Sequence, residues 1–367
     1  MENTPTKKSE LKKACTNCGA ELLYAPGTTT LACEYCGNTE SIEPAADTFE
    51  ELELKPYLEA LGSQTHSELI NMLQCKNCGA NQHIEDHYKS LHCIYCSMPL
   101  IIEDTKKEEW ILPGAVLPFQ INHDKAHQIF KRWVDGLWFA PNNLKKAALD
   151  PDLTRGLYLP YWTFDAQLYA DYTGQRGDYY YVNVPYTTQV NGKSVTRTRQ
   201  ERRTRWTYAS GNISGFVDDT LVKASNQKKG QIPSNIARWN LKLLQPFNSS
   251  YLSGFVTEKY TISLKDGHLT SNDQARNIAT NWACRDIGGD TQRVTSLDMT
   301  LTNETFKHIL LPVYISSYTF KGKPYSFFIN GENGAVSGQR PYSFWKIFIL
   351  VLFVLIIIFV IATVSGN

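Results

Sequence analysis

Eight of the nine cysteines form two copies of one pattern, Cys15-x2-Cys18-x14-Cys33-x2-Cys36 and Cys75-x2-Cys78-x14-Cys93-x2-Cys96, at a constant offset of 60 residues. Four thiolates delivered by two short knuckles are what a d10 cation with tetrahedral preference needs for a closed site, so the spacing predicts two zinc ribbons in tandem, each holding one structural Zn2+. Laying residues 15–43 on 75–103 also matches Asn17 with Asn77, Gly19 with Gly79, Ala20 with Ala80, Leu31 with Leu91, Tyr35 with Tyr95, Ile42 with Ile102 and Glu43 with Glu103, without a gap. That agreement points to an internal duplication. Disulfides or a redox dithiol are the competing use of such cysteines. With four sulfurs completing each shell there is no open position for substrate or water, so the metal is expected to hold the fold and perform no chemistry. His83, His87 and His92 crowd the second copy and are expected on its surface, outside a shell that is already full.

The other end of the chain is equally restrictive. Residues 347–364 read IFILVLFVLIIIFVIATV, with Thr363 the one polar side chain. As a helix this run is roughly 27 Å long, close to a hydrocarbon core of about 30 Å. Tyr342, Phe344, Trp345 and Lys346 precede it, an aromatic and basic flank suited to a membrane interface. The first residues, MENTPTKKSELKK, lack an apolar signal region. Arg340 and Lys346 lie before the span and no charge follows it, so the positive-inside rule predicts a single-pass protein of the cell membrane with its bulk in the cytoplasm. Reduced thiolates are expected in that same compartment.

Between these ends, 37 basic and 36 acidic residues leave no global nucleic-acid signature. The expected organisation is a first zinc ribbon over 1–45, an acidic and helical linker over 46–74, a second ribbon over 75–104, an aromatic-rich α+β domain over 110–343 and a transmembrane helix over 344–364. In the linker, Thr65-x-x-Glu68 reads as a capping box for a short helix through Leu69, Ile70 and Leu73. Pro56 interrupts any longer helix before it. The acidic linker would repel a phosphate backbone from the ribbons.

Apolar positions at 126, 129, 130, 133, 134 and 137 predict a helix over 124–137. Strand-like runs follow at 157–172, 179–190 and 194–208, the last two joined by Asn191-Gly192, a hairpin turn in which both residues need positive φ. Further helices are expected at 234–244 and 271–284, and paired strands at 309–320 and 325–330, which together make the domain α+β with a mostly antiparallel sheet. Lys193, Arg197, Arg199, Arg202, Arg203 and Arg205 cluster on the hairpin's returning arm. Such a ribbon suits anionic lipid, an acidic partner or nucleic acid, or is a strand edge kept soluble by arginine.

Catalytic motifs are missing. Gly192-Lys193-Ser194 mimics the end of a phosphate-binding loop, but Thr187 stands where its first glycine belongs and the setting is a hairpin. Cys284, near Asp286 and with His268 and His308 elsewhere, is formally a thiol nucleophile, but reads as a helix-end core cysteine. Asp286-Ile287-Gly288-Gly289-Asp290 reads as a helix C-cap and turn. The chain is therefore expected not to be an enzyme.

The tandem ribbons, LPF at 117–119, YLPYWTFDA at 158–166, DIGGD at 286–290, FKHILLPVY at 306–314 and NGENGAVSGQRPYS at 330–343, followed by the apolar span, resemble a bacterial family of membrane-anchored zinc-ribbon proteins over nearly the whole chain. Its members are often labelled as similar to the primosomal replication helicase because of their paired zinc sites. The absence of a nucleotide-binding loop keeps that likeness from extending to helicase activity here. Relatives are associated with phage-shock and flotillin-type membrane-stress systems, which implies a tail-anchored, cytosol-facing adaptor binding such protein partners at the membrane. The alternative is a membrane-tethered nucleic-acid-binding ribbon protein.

Overall fold

The computed structural model describes residues 13–43, 51–59, 67–76, 80–83, 91–93, 95, 98–100, 106–141, 154–190, 193–226, 232–320 and 323–365. Within them the fold is a sheet-rich α+β structure with a free-standing apolar helix at its end.

The chain opens with a small antiparallel sheet of β1 (Leu22–Tyr24), β2 (Thr30–Cys33) and β3 (Thr39–Ser41). Next come β4 (Leu52–Glu53) and the short helix α1 (Leu54–Glu59), where Pro56 sits in the first turn and forfeits no intrahelical hydrogen bond. The second cysteine segment carries β5 (Ser67–Gln74), β6 (Asn81–His83), β7 (Leu91–His92) and β8 (Pro99–Leu100), and β9 (Lys106–Ile111) returns along β5. The helix expected through Leu69, Ile70 and Leu73 is thus a strand. Thr65, its proposed cap, lies outside the described residues. Pairing of Ser67–Met72 with Lys106–Ile111 overrides the local helix signal.

The body is one nine-stranded sheet. It is entered by β10 (Ala115–Val116) and α2 (His123–Asp135), capped by the Asn122 side chain, which accepts from the Lys125 N–H. Three very long strands then dominate: β11 (Thr154–Val190) and β12 (Lys193–Lys223), and, after β13 (Gln245–Pro246), β14 (Val256–Thr257) and α3 (Leu264–Ile287), β15 (Thr291–Phe320). β16 (Lys323–Asn330), β17 (Val336–Gly338) and α4 (Phe344–Ser365) complete the chain. β11 lies between β12 and β15, antiparallel to both.

β11 passes through three environments, and its residues follow them. Leu157–Ala166 is buried throughout, as expected where both faces are covered. From Leu168 to Tyr172 alternate residues are buried, because α3 covers one face only and leaves Tyr169 and Asp171 in solvent. Past Gly177, where β15 begins, β11 and β12 continue as a two-stranded ribbon to Val190 and Lys193. The joining Asn191 and Gly192 lie outside the described residues. The ribbon tip is on the order of 100 Å along the strand from Thr154.

α3 approaches the sheet closely because its inner side is small: Gly267, Ser271, Ala275, Ala279 and Ala283 are all buried. Gly267 admits Trp162, and Gly215 on β12 admits Trp282; a Cβ at either glycine would lie 2.7 Å from the indole. α3 is longer than expected at both ends and begins on Ser263, whose hydroxyl accepts from the Asp266 N–H. Its end is the expected cap: Gly288 and Gly289 have φ of 65° and 78°, the left-handed region that a Cβ disfavours. Asp286 accepts from the Tyr172 hydroxyl (2.6 Å) and Asp290 from the Tyr179 N–H (2.6 Å), so both carboxylates of this turn serve the fold.

No α-helix forms over 234–244. A turn at Pro233 leads to a 3-10 turn at Leu241–Leu243, because the Asn330 side-chain amide donates to the Ile236 and Arg238 carbonyls (3.0 and 2.9 Å) that a helix would use internally.

His308 is sealed between Trp162 and Tyr260, with Nδ1 at 2.8 Å from the Ile111 carbonyl, and burial drives it from 6.5 down to about 4. The unfolded chain binds this proton first, so the stabilisation is complete above pH 6.5 and drains away as pH falls toward 4, a loss of about 3 kcal/mol. Urea unfolding across pH 7 to 4 should therefore show a steep acid limb that is shallower by this contribution in His308→Asn. Parallel limbs for the two proteins would contradict it.

Candidate metal centre and apolar helix

The first cysteine motif forms a compact cluster. Cys15 and Cys33 are buried while Cys18 and Cys36 reach the surface, and one sulfur from each lies within 4.8 Å of the others. Cys15 Sγ is 3.6 Å from Cys36 Sγ, and Cys18 Sγ is 3.6 Å from Cys33 Sγ. Metal–sulfur bonds of about 2.3 Å in a tetrahedron require sulfur–sulfur edges of about 3.8 Å, so the four thiols fit one zinc ion. A disulfide would need two sulfurs at about 2.0 Å, and neither pair approaches this.

The knuckles explain the geometry. The Cys15 N–H donates to the Ala20 carbonyl (2.7 Å) and the Cys33 N–H to the Asn38 carbonyl (2.8 Å), each closing a turn through Gly19 or Gly37, both at positive φ. The Asn38 N–H and the Asn17 side chain hold the Cys36 thiol down to about 6, and the Asn38 amide also lies 3.6 Å from Cys15 Sγ. Donors aimed at sulfur favour the thiolate, the form that binds metal.

In the second motif Cys75 and Cys93 are buried, and Cys78 and Cys96 lie outside the described residues, as does His87. Its backbone nevertheless repeats the first motif at the same offset. The Cys75 N–H donates to Ala80 O and the Cys93 N–H to Met98 O (2.9 and 2.8 Å). Leu91 pairs with Leu100 as Leu31 pairs with Glu40, and Gln74 with Asn81 as Ala14 with Glu21.

The two segments dock on opposite faces of the sheet. Leu22, Tyr24 and Leu31 pack with Tyr158, Leu310, Tyr314 and Phe327, whereas Cys75, Cys93 and Tyr95 pack with Leu157, Leu159, Ile309, Leu311 and Phe328. Neighbouring residues of one strand point to opposite sides, so these two sets mark two faces. The duplicated tyrosine shows how differently the copies are used. Tyr35 is 85% exposed, while its counterpart Tyr95 is 1% exposed and donates to the buried carboxylate of Glu258, which also accepts from Ser225 (2.6 Å). Burial raises the Glu258 carboxyl above its ordinary range.

An acidic group, Asp165, Asp218 and Asp219, was not apparent in the sequence as a cluster. It forms because both neighbours of β11 bulge at one level, with Asp219 and Asn303 at φ 48° and 51°. Lys307 occupies it: Nζ lies 3.0 Å from Glu51, 3.3 Å from Asp219 and 3.7 Å from Asp165. The chain thus supplies its own cation there. Glu51, Asp165 and Asp219 lie too far apart along the chain for any local signal and meet only through the sheet register.

The structure does not bring Cys284 to a histidine on its own helix: His268 is 16 positions away on α3, or about 24 Å, and its Nε2 is engaged by Glu304 at 2.6 Å.

α4 spans about 33 Å and is long and apolar enough to cross a membrane, and none of the stretch Phe344–Ile361 is buried against the protein. In water, so large a continuous apolar surface would be unstable without a cover.

No protein-family model matches the chain, and no solved structure matches it. The chain is similar to "Uncharacterized protein YdjG" of Bacillus subtilis (strain 168), 25% identical over 341 residues that cover 91% of each protein.

Proposed function

We propose that the chain is a membrane-anchored, cytosol-facing zinc-ribbon adaptor, with Zn2+ held by Cys15, Cys18, Cys33 and Cys36 and a second Zn2+ by Cys75, Cys78, Cys93 and Cys96. The observation that carries the first site is the tetrahedral spacing of its four sulfurs. The second rests on the repeated knuckle hydrogen bonds. A bare apolar helix supports the anchor, and the reducing side of the bilayer suits eight thiolates. Two cysteine segments docked on opposite sheet faces suit a scaffold for protein partners, for which membrane-stress proteins of the phage-shock or flotillin type are the first candidates. The thiol–imidazole pair that the sequence offered on α3, Cys284 and His268, is about 24 Å apart, which favours a binding role over catalysis. Cross-linked capture from solubilised membranes, with Cys15→Ser/Cys18→Ser as the comparison, should yield partners that the variant loses. Identical partner sets would contradict the reading.

A second reading, a membrane-tethered nucleic-acid binder, draws on the ribbon register. Lys193, Arg197, Arg199, Arg203 and Arg205 share one face with Tyr180 and Tyr186, and Arg205 lies over Tyr180 and Arg199 over Tyr186. Glu201 on that face pairs with Arg199 (3.1 Å) and Arg203 (3.7 Å), which favours self-stabilisation of the ribbon. Oligonucleotide binding that falls steeply with salt would support this second reading, and salt-independent or absent binding would remove it.

A further inference from the structure

The base of α4 is bolted to the loop that follows α2. Three consecutive carbonyls of that loop accept from it: Phe139 O from the Ser343 N–H (2.7 Å), and Trp138 O and Ala140 O from Lys346 Nζ (3.1 and 2.9 Å). Five residues, Gln339–Ser343, separate β17 from α4, and the first is also held, its N–H donating to Ser326 O (2.9 Å). α2 in turn is fixed to the sheet by the stacked rings of Phe130 and Phe327 (centroids 3.6 Å). The junction between head and helix is therefore braced, not a free tether. On this brace Trp138 is 75% exposed, beside a helix start at which Trp345 is 70% exposed and Tyr342 and Phe344 are exposed as well. Lys346, which neutralises the carbonyl cluster, would otherwise be the charge that snorkels alone to the headgroups.

We infer that Trp138 is a second membrane contact, its indole seated in the headgroup region of the bilayer that α4 enters, so that the head is held at a fixed attitude to the membrane. The partner is the lipid interface, argued from continuity: an indole prefers that layer, and this one is tied within a few residues of where an apolar span must leave it. The inference rests on α4 crossing a membrane.

The test uses the full-length chain in vesicles of phosphatidylethanolamine and phosphatidylglycerol, with Trp138, Trp345 or Tyr35 replaced one at a time by photoreactive benzoylphenylalanine. All three positions are largely exposed, so the bulky ring is accommodated. Lipid adducts are read by mass spectrometry of the peptides. The expected result is adduct at 138 approaching the yield at 345, with background at 35. Adduct at 345 with only background at 138 would overturn the second contact while leaving the span intact. Absence of adduct at 345 would overturn both.

Discussion

With zinc held as proposed, Cys33→Ser is expected to cost the protein the ion of its first cysteine cluster and to release that module from the sheet. Cys33 is 2% exposed and is one of the four clustered cysteines, and structural zinc contributes about 10–16 kcal/mol of apparent binding free energy in zinc-finger peptides, most of which is folding free energy. What is released with it is visible in the packing. Tyr24 donates its hydroxyl to Thr28 O and Phe119 O (2.9 and 3.2 Å), Ser253 donates to Leu22 O (2.6 Å), and Tyr24 meets Tyr251 edge-on at 5.2 Å. Three short strands cannot keep these contacts without the metal, because a sheet of 3, 4 and 3 residues has too little apolar surface of its own. Hydrogen exchange should show the amides of Leu22–Leu31 losing protection in the variant while those of α3 keep theirs. Unchanged protection at both would show that the module stands without metal.

Lys307→Met is the second large effect, expected to destabilise by about 3–5 kcal/mol, the usual cost of stranding a buried charge. Its partner Asp165 is 1% exposed at the side chain, accepts from the Asp219 N–H and is already pushed above its ordinary range by burial, which the lysine opposes. Without the ammonium, Asp165 must take up a proton or open the double bulge. Adding Asp165→Asn to Lys307→Met should recover part of the loss, since the amide keeps an acceptor for Asp219 while removing the charge. Urea midpoints of the two variants provide the check. A loss below about 1 kcal/mol would place this pair with ordinary surface ion pairs.

What could be read from the sequence divides along physical lines. The cysteine pattern announced one tetrahedral cluster because metal ligation needs particular atoms at particular spacings, and the apolar run announced α4 because an unbroken apolar stretch of that length is what a helix needs to span. α2 was legible because its apolar face repeats at helical period, and Gly288-Gly289 because their backbone needs positive φ. The strand at Ser67–Gln74 was not legible: its capping-box signal is local, and the strand exists through pairing with residues some 40 positions later. The segment 234–244 failed for a like reason, since Asn330 competes for its carbonyls from almost 100 positions away. Nor could the sequence place duplicated modules on opposite faces, which depends on whether odd or even residues of β11 and β15 meet each one. The continuity of β11 through what read as separate runs at 157–172 and 179–190 has a plain cause. Gly174 and Gly177 look like breaks, but Arg293 O lies 2.4 Å from where a Cβ at 174 would stand, so the glycine serves close strand approach.

Zinc content of full-length protein purified from detergent-solubilised membranes, set against its count of titratable thiols, is the most direct test of the central claim. Two zinc ions per chain, with a single thiol reactive before chelation and all nine after it, is the predicted result. Metal-free protein that binds none on zinc addition under reducing conditions would contradict the account.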